Sequence, residues 1–542
     1  MANMLKDLMV PTRSGHHICL DVFLPDGDGP FPAVYAQSPY LKDAVAVLPH
    51  HNMYRKVETG PIDFYTDNGY AYVLADALGS GKSEGDWALW DENEQDAMCD
   101  VIDWIAEQDW CTRKVGMIGE SYFAISQWLA AVNRPGNLAC IAPFDGLTDP
   151  IRDAFYHGGV PCRFVAPWMH EIRNANNLDY GFNPINFDPL ALIQDENLYP
   201  DAWKERSTFW RIDQIEVPVF SIGNWAMTGM HLRGNLSAFK SLKSPKKLLV
   251  MDGHNMHTPQ VIFGSVEFHR TFLLPWYDHW LKGIDNGVMD GPPVQLFVPG
   301  TGEYRPEDDW PLARAENKKL YLSGGRANAL ESLNDGALVW DEDLIEEGSV
   351  DLEYPRKDWA GGPIVFGPTG VPNTTAGVMT FTTEIIEEDI EITGPMKLVL
   401  YASSDQLDTD FILRLSEQMP PPPPLAPIMS TFEPPFNIVS KGWLKASRRK
   451  IDRDLSTETE LHYTLDEKEM LEPGRIYKFE IEFVPACRVF KAGNRIRLEL
   501  KNADSPTTEL LLAHINTFRA GTDTYYYQGE HKSHLVLPVV SG

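Results

Sequence analysis

No run of about 20 apolar residues occurs anywhere in this chain, so nothing in it has the length and hydropathy of a membrane-spanning helix. The opening ten residues, Met1 to Val10, include Lys6 and Asp7 and lack the apolar stretch of a secretory leader. Positive charge is scarce too. Only 47 lysines and arginines face 77 aspartates and glutamates, and the net charge of -30 opposes contact with phosphate backbones or anionic lipid. The six cysteines, Cys19, Cys99, Cys111, Cys140, Cys162 and Cys487, have no close-paired spacing, so neither a zinc site nor a disulfide framework is suggested. They read as buried thiols in a reducing compartment. These absences predict a soluble, cytoplasmic protein with no cofactor or metal and with neither nucleic acid nor membrane as a partner.

What is present is ample core material. A chain of 542 residues, 43% hydrophobic and 11% aromatic, is too long for one core and predicts two or three domains. The most informative stretch is Gly116-Met117-Ile118-Gly119-Glu120-Ser121-Tyr122. It reads as a strand, Lys114 to Ile118, entering a tight turn that lifts Ser121 above a sheet, with a helix from Tyr122 to Val132 stopped by Asn133-Arg134-Pro135-Gly136. Ser121 is the candidate nucleophile. The second glycine of a G-x-S-x-G elbow is missing, since Phe123 and Ala124 follow.

Around this turn, strand and helix signals alternate. Ile18 to Leu24, Ala33 to Gln37, Tyr70 to Ala75, Leu138 to Pro143, Val217 to Ile222 and Lys247 to Met251 are apolar strands, and Asp96 to Glu107 is an amphipathic helix. The pattern predicts a mostly parallel, doubly wound α/β sheet in two parts, residues 1–146 and 216–290. Between them, residues 147–215 are rich in aromatics and predict an inserted helical cap. After Gly291-Pro292-Pro293 the segments become β-rich, predicting a C-terminal all-β jelly roll over 291–542. The proline run from Pro420 to Pro424 fits an exposed loop. Acidic groups such as Glu92 with Glu94, and Glu387-Glu388-Asp389, read as solvated surface.

A serine nucleophile needs a base on a loop at the same sheet edge. The strand ending at Met251 runs into Asp252-Gly253-His254-Asn255-Met256-His257, and either histidine fits that place. Phe155, Phe164, Trp168 and Trp225 could wall an apolar acyl pocket.

Several further segments resemble one family in order along nearly the whole chain. Gly119-Glu120-Ser121-Tyr122-Phe123-Ala124 resembles the G-x-S-Y-x-G motif of the cocaine-esterase and X-prolyl dipeptidyl-peptidase-like hydrolases, the CocE/NonD family of α/β-hydrolases. Ser38-Pro39-Tyr40-Leu41-Lys42 resembles its S-P-Y-x-K. Asp76 to Gly85 resembles its D-x-R-G-x-G-x-S-x-G, with Leu78 in place of arginine. Gly394-Pro395, Ser403-Ser404-Asp405, Asp408 to Phe411 and Ala492 to Ile496 resemble its C-terminal domain.

The resemblance implies that His257 is the base, with His254 as runner-up, and that the Tyr40 hydroxyl and the Tyr122 backbone N–H form the oxyanion hole. It also exposes a gap. Where the family often has G-G-W-Y-D, this chain has Gly223-Asn224-Trp225-Ala226-Met227, and no carboxylate lies between Glu216 and Asp252. In α/β-hydrolases the acid can come from the loop one strand earlier, which points to Asp145, ahead of Asp149 and Asp252. Glu120, beside the nucleophile, is expected to point into neighbouring structure. The implied activity is hydrolysis of an ester or amide with a bulky apolar group through an acyl-enzyme. An acyltransferase, or a ligand-binding scaffold with weak or no turnover, are the alternatives, and a homodimer is plausible within the family.

Overall fold

The computed structural model describes residues 3–43, 58–177, 200–253, 258–367, 372–420, 435–505 and 520–541, with residues 185, 370, 509 and 512–514. The first sheet opens with a hairpin of β1 (Asn3–Pro11) and β2 (His17–Leu24). It continues through β3 (Phe31–Ser38), β4 (Ala71–Asp76), β5 (Cys111–Glu120), β6 (Leu138–Phe144), β7 (Val219–Asn224), β8 (Lys246–Met251) and β9 (Val294–Val298), all mutually parallel, and ends in antiparallel β10 (Glu303–Glu307). The spatial order is β1-β2-β4-β3-β5-β6-β7-β8-β9-β10. Its central strands are buried on both faces, as near-continuous apolar runs such as Ala71 to Ala75 require.

This order positions the site. From β3 the chain winds towards β4, and from β5 it winds the other way towards β6, so the crevice at the carboxyl ends of adjacent β3 and β5 is a topological switch point. β3 leads into Ser38-Pro39-Tyr40 and β5 leads into Glu120-Ser121. The sheet also runs past residue 290: Gly291-Pro292-Pro293 feeds β9, which pairs Val294 with Leu248 of β8.

Helix α1 (Glu92–Glu107) starts earlier than its apolar stripe suggests, because Asp91 caps it by accepting from the Glu94 N–H at 3.0 Å. Helix α2 (Tyr122–Val132) lies where expected and is buried along its whole length. The insertion is only partly helical. Its described part holds a π-helical turn at Ile151–Phe155, a hairpin of Tyr156–His157 with Val160–Pro161, helix α3 (Val165–Ala175), a short helix at Asp201–Glu205 and a 3-10 turn at Thr208–Gln214. Among the described residues no helix is long and apolar enough to cross a membrane.

The C-terminal region is β-rich. Among the described residues, nine of its strands pair in a closed ring, running Ile390–Ser404, Tyr477–Phe490, Phe436–Lys445, Asp410–Gln418, Arg495–Lys501, Met379–Thr383, Gly336–Val339, Ala315–Arg326, His534–Val540 and back to the first. Buried apolar residues of both regions belong to one continuous core. The proline run lies outside the described residues from Pro421 onward.

The turn after β4 makes a tight structural demand. Gly79 sits at φ +70°, and a Cβ there would lie 2.0 Å from the Trp87 backbone nitrogen. Gly79→Ala is expected to cost more than the ~1–2 kcal/mol of left-handed strain alone and to lower the melting temperature. An unchanged melt would show that residues 78–87 can move aside freely.

Candidate active site

Ser121 occupies a strained elbow. Its φ of 59° and ψ of -116° join β5 directly to α2, and its N–H donates to the Phe144 carbonyl at 3.1 Å, tying the turn to the end of β6. Only glycine fits two residues earlier, since a Cβ on Gly119 would stand 2.2 Å from the Phe123 Cβ. The missing second glycine is compensated nearby. Ala124 packs where a Cβ on residue 146 would be 2.8 Å from its own, and residue 146 is glycine.

Tyr40 is buried beside this elbow. Its ring meets Tyr122 and Phe123, the two residues after Ser121, edge to face at centroid distances of 5.9 and 6.2 Å. The loop that carries it is pinned by Lys42, whose fully buried ammonium reaches Asp7 at 2.6 Å, Asp21 at 2.9 Å and Asp43 at 3.1 Å. The Lys42 N–H donates to Asp76 at 2.7 Å, and the Lys82 N–H donates to the other Asp76 oxygen at 3.1 Å. Burial pushes the Asp76 carboxyl up to about 6 even so. The S-P-Y-x-K and D-x-x-G-x-G segments thus form one support for the Tyr40 loop.

An aromatic wall covers the pair. Trp168 on α3 donates its indole N–H to the Tyr40 oxygen at 2.9 Å. An indole can only donate, so the tyrosine oxygen accepts there and its own proton is directed elsewhere. Trp168 also stacks on Phe164 and leans on Tyr122 and Trp90, and Trp90 stacks on Phe155. Three of the four expected pocket residues therefore form one surface. Trp225 stands apart: its indole donates to the Phe297 carbonyl at 2.8 Å, its ring packs on Trp310, and it lines a cavity of about 260 Å³ with Gly253, Pro299 and Val439.

Beneath the elbow lie buried carboxyl groups. Asp145, at the end of β6, is wholly buried with φ 48°, and its N–H donates to the Ile222 carbonyl of β7. Burial pushes its pKa well up, against a smaller opposing pull from the Asn224 N–H. Glu120 does point inward, and burial followed by repulsion from Glu58 and Asp145 raises it strongly. Glu58, also buried and raised by burial, was not singled out in the sequence. Met227, in place of the family's aspartate, is a buried apolar group. Asp149 pairs with Arg152 at 2.7 Å. Asp252 is half-buried, and its carbonyl accepts from the Asn224 side chain at 2.7 Å. His254 and His257 lie outside the described residues.

Glu94 corrects the surface reading. It is 1% exposed, accepts from the Tyr122 hydroxyl at 2.7 Å and from the Trp90 N–H at 2.8 Å, and burial pushes it up to about 7. Its neighbour Glu92 and the Glu387-Glu388-Asp389 group are exposed, as expected.

Comparison with known proteins follows the same lines. Residues 14–257 match the family described as X-Pro dipeptidyl-peptidase (S15 family), and residues 286–536 match the X-Pro dipeptidyl-peptidase C-terminal non-catalytic domain. Cocaine esterase of Rhodococcus sp. (strain MB1 Bresler) is 26% identical over 601 residues, covering 99% of this chain and 98% of that protein. The crystal structure of a CocE/NonD family hydrolase from Staphylococcus aureus superposes with a TM-score of 0.83 at 24% identity, covering 99% of this chain and 93% of that one. An α-amino acid ester hydrolase shares the fold with a TM-score of 0.72 at 18% identity, covering 99% and 97% of the two chains.

The raised Glu94 has a pH signature. Its folded pKa of about 7 lies above the ordinary 4.5, so the folded state keeps a proton that the unfolded chain has released. Stability is fullest below 4.5 and is lost as pH rises through 7, by about 3 kcal/mol at most. Asp76 acts in the same direction. Glu94→Gln should flatten the fall in denaturant-unfolding free energy between those limits. Parallel slopes for variant and wild type would remove Glu94 from the account.

Proposed function

We propose, for a chain that belongs to the CocE/NonD family of α/β-hydrolases, that it is a serine hydrolase cleaving an ester or amide with a bulky apolar group through an acyl-enzyme on Ser121. The observation that carries this reading is the elbow at Ser121, set against Tyr40 at the sheet's switch point. The family's esterases and dipeptidyl-peptidases support serine hydrolase chemistry in general. Preference for an apolar acyl group rests on the wall of Phe155, Phe164 and Trp168, with Trp225 lining the neighbouring cavity.

In this mechanism His257 takes the Ser121 hydroxyl proton as the oxygen attacks the carbonyl carbon. The Tyr40 hydroxyl and the Tyr122 N–H donate to the resulting oxyanion; the latter sits in the first helical turn, where no intrahelical acceptor exists. Collapse expels the leaving group, protonated by His257, and water then attacks the acyl-enzyme with His257 again as base. Asp145 orients His257. Burial disfavours the ionised form of Asp145, and the positive charge that develops on His257 would act against that effect.

Reaction with a fluorophosphonate probe, read by intact mass and peptide mapping, tests the nucleophile. Wild type should gain one adduct at Ser121, and Ser121→Ala and His257→Ala should gain none; a folded wild type that stays unlabelled would sink the proposal. Asp145→Asn should lower kcat by up to about ten-thousand-fold with KM little changed. An unaltered kcat would pass the acid's role to another group. Trp168→Phe keeps the apolar wall but removes the bond to Tyr40, and should lower kcat about tenfold, in line with one lost hydrogen bond.

A further inference from the structure

A second cluster of reactive side chains lies where the insertion meets the β-rich region. His157 and Cys162 come from the insertion's hairpin and its exit, and His514 comes from the stretch between strands Arg495–Lys501 and Gly521–Gln528. All three are buried, and their ligand atoms lie within 4.8 Å of one another. Backbone contacts hold them there. Cys162 and His514 form an isolated β-bridge, and the Arg163 N–H donates to the Ala513 carbonyl at 2.7 Å. The sequence concealed this cluster, since the two histidines are 357 positions apart.

The hydrogen-bond polarity of the two rings is the telling feature. Asp504 is ion-paired with Lys501 at 2.7 Å and is therefore an acceptor, so the His514 Nδ1 that meets it at 2.8 Å carries a proton. The His157 Nε2 faces the Asp153 carbonyl at 3.1 Å, and a carbonyl only accepts, so that nitrogen carries the other ring's proton. In two neutral rings this leaves the His157 Nδ1 and the His514 Nε2 as bare lone pairs, yet they face each other at 2.8 Å. Two bare lone pairs in that position need either a proton or a metal ion between them.

We infer that His157, Cys162 and His514 form a binding site for a divalent metal of zinc's type. Two imidazole nitrogens and one sulfur are a donor set that suits zinc, with a fourth position left for water or another group. The Asp504 carboxylate on the far nitrogen of His514 is the outer partner that metal-bound histidines commonly have, fixing the tautomer that ligates. Trp443, stacked on His157 at 4.4 Å, holds that ring in place. Zinc bonds of ~2.0–2.3 Å set tetrahedral donors roughly 3.3–3.8 Å apart, so the nitrogens spread by about half an ångström and the sulfur closes by up to about one. On binding, the Cys162 S–H bond breaks, a zinc–sulfur bond forms and the proton leaves to solvent. No electrons are exchanged. The metal would clip the hairpin to the β-rich region and take no part in bond-making at Ser121.

The test uses the full chain, stripped with chelator and dialysed against zinc ion or cobalt ion alone, with metal content, melting temperature and absorption spectrum as readouts. A single zinc per chain, a higher melting temperature with zinc, and a thiolate-to-cobalt charge-transfer band are expected. Cys162→Ala should abolish the band while the zinc-free variant melts near wild type. His157→Gln should weaken zinc binding at least as much as the ~10–100-fold typical for losing an outer partner. A folded wild type that retains no zinc and shows no cobalt band would overturn the inference and leave a shared proton between the two rings.

Discussion

The backbone reversal at Ser121 is the constraint around which the hydrolase sheet is arranged. A positive φ at a non-glycine residue costs energy, and it persists here because both flanks are over-determined. On one side β5 is locked between β3 and β6, and on the other every residue of α2 is buried. The neighbouring loop is fixed as firmly. Lys42 is fully enclosed by carboxylates, and removing one partner from such a buried group typically costs ~3–5 kcal/mol. Tyr40 is therefore placed by an ion cluster behind it and by Trp168 in front of it.

Electrostatics beneath the elbow are set by burial. Glu58, Glu120 and Asp145 bring three buried carboxyl groups near one another there. Ionised, they would repel one another. Burial raises all three, and repulsion from Glu58 and Asp145 raises Glu120 further, so each is biased towards its neutral form. Asp145 differs from the glutamates in position. It ends the strand after the nucleophile, and the Asn224 N–H beside it favours its ionised form.

The sequence made the elbow, the parallel strands and the stop of α2 legible, because each depends on local rules: a glycine that admits a tight turn, apolar runs, a proline after a helix. It hid what depends on distant packing. Glu94 looks like surface beside Glu92, yet the cap at Asp91 rotates it towards Tyr122, so its partner sets its burial rather than its chemistry. Trp225 shares the composition of the other pocket aromatics, but it follows β7, and its indole is drawn to the Phe297 carbonyl of β9. The continuation of the sheet past residue 290 was masked by a Gly-Pro-Pro turn that reads as a domain boundary. Met227 was legible as a gap in the family pattern. Among the buried carboxyls beneath the elbow, Asp145 is marked by its place at a strand end, while Glu58 carries no local signal.

The insertion joins these parts into a chain of dependence. Cys162 is bridged to His514, and two residues on, Phe164 begins the turn that leads into α3. Phe164 stacks on Trp168, and Trp168 holds the Tyr40 oxygen. A shift of the hairpin against the β-rich region would be passed through this short rigid path to the Tyr40 hydroxyl. The C-terminal region is thus more than a cover for the sheet: the contacts at residues 157, 162 and 514 set where one wall of the pocket begins. Displacements of an ångström at such a wall are enough to matter, because the barrier depends on reacting atoms being held near contact distance.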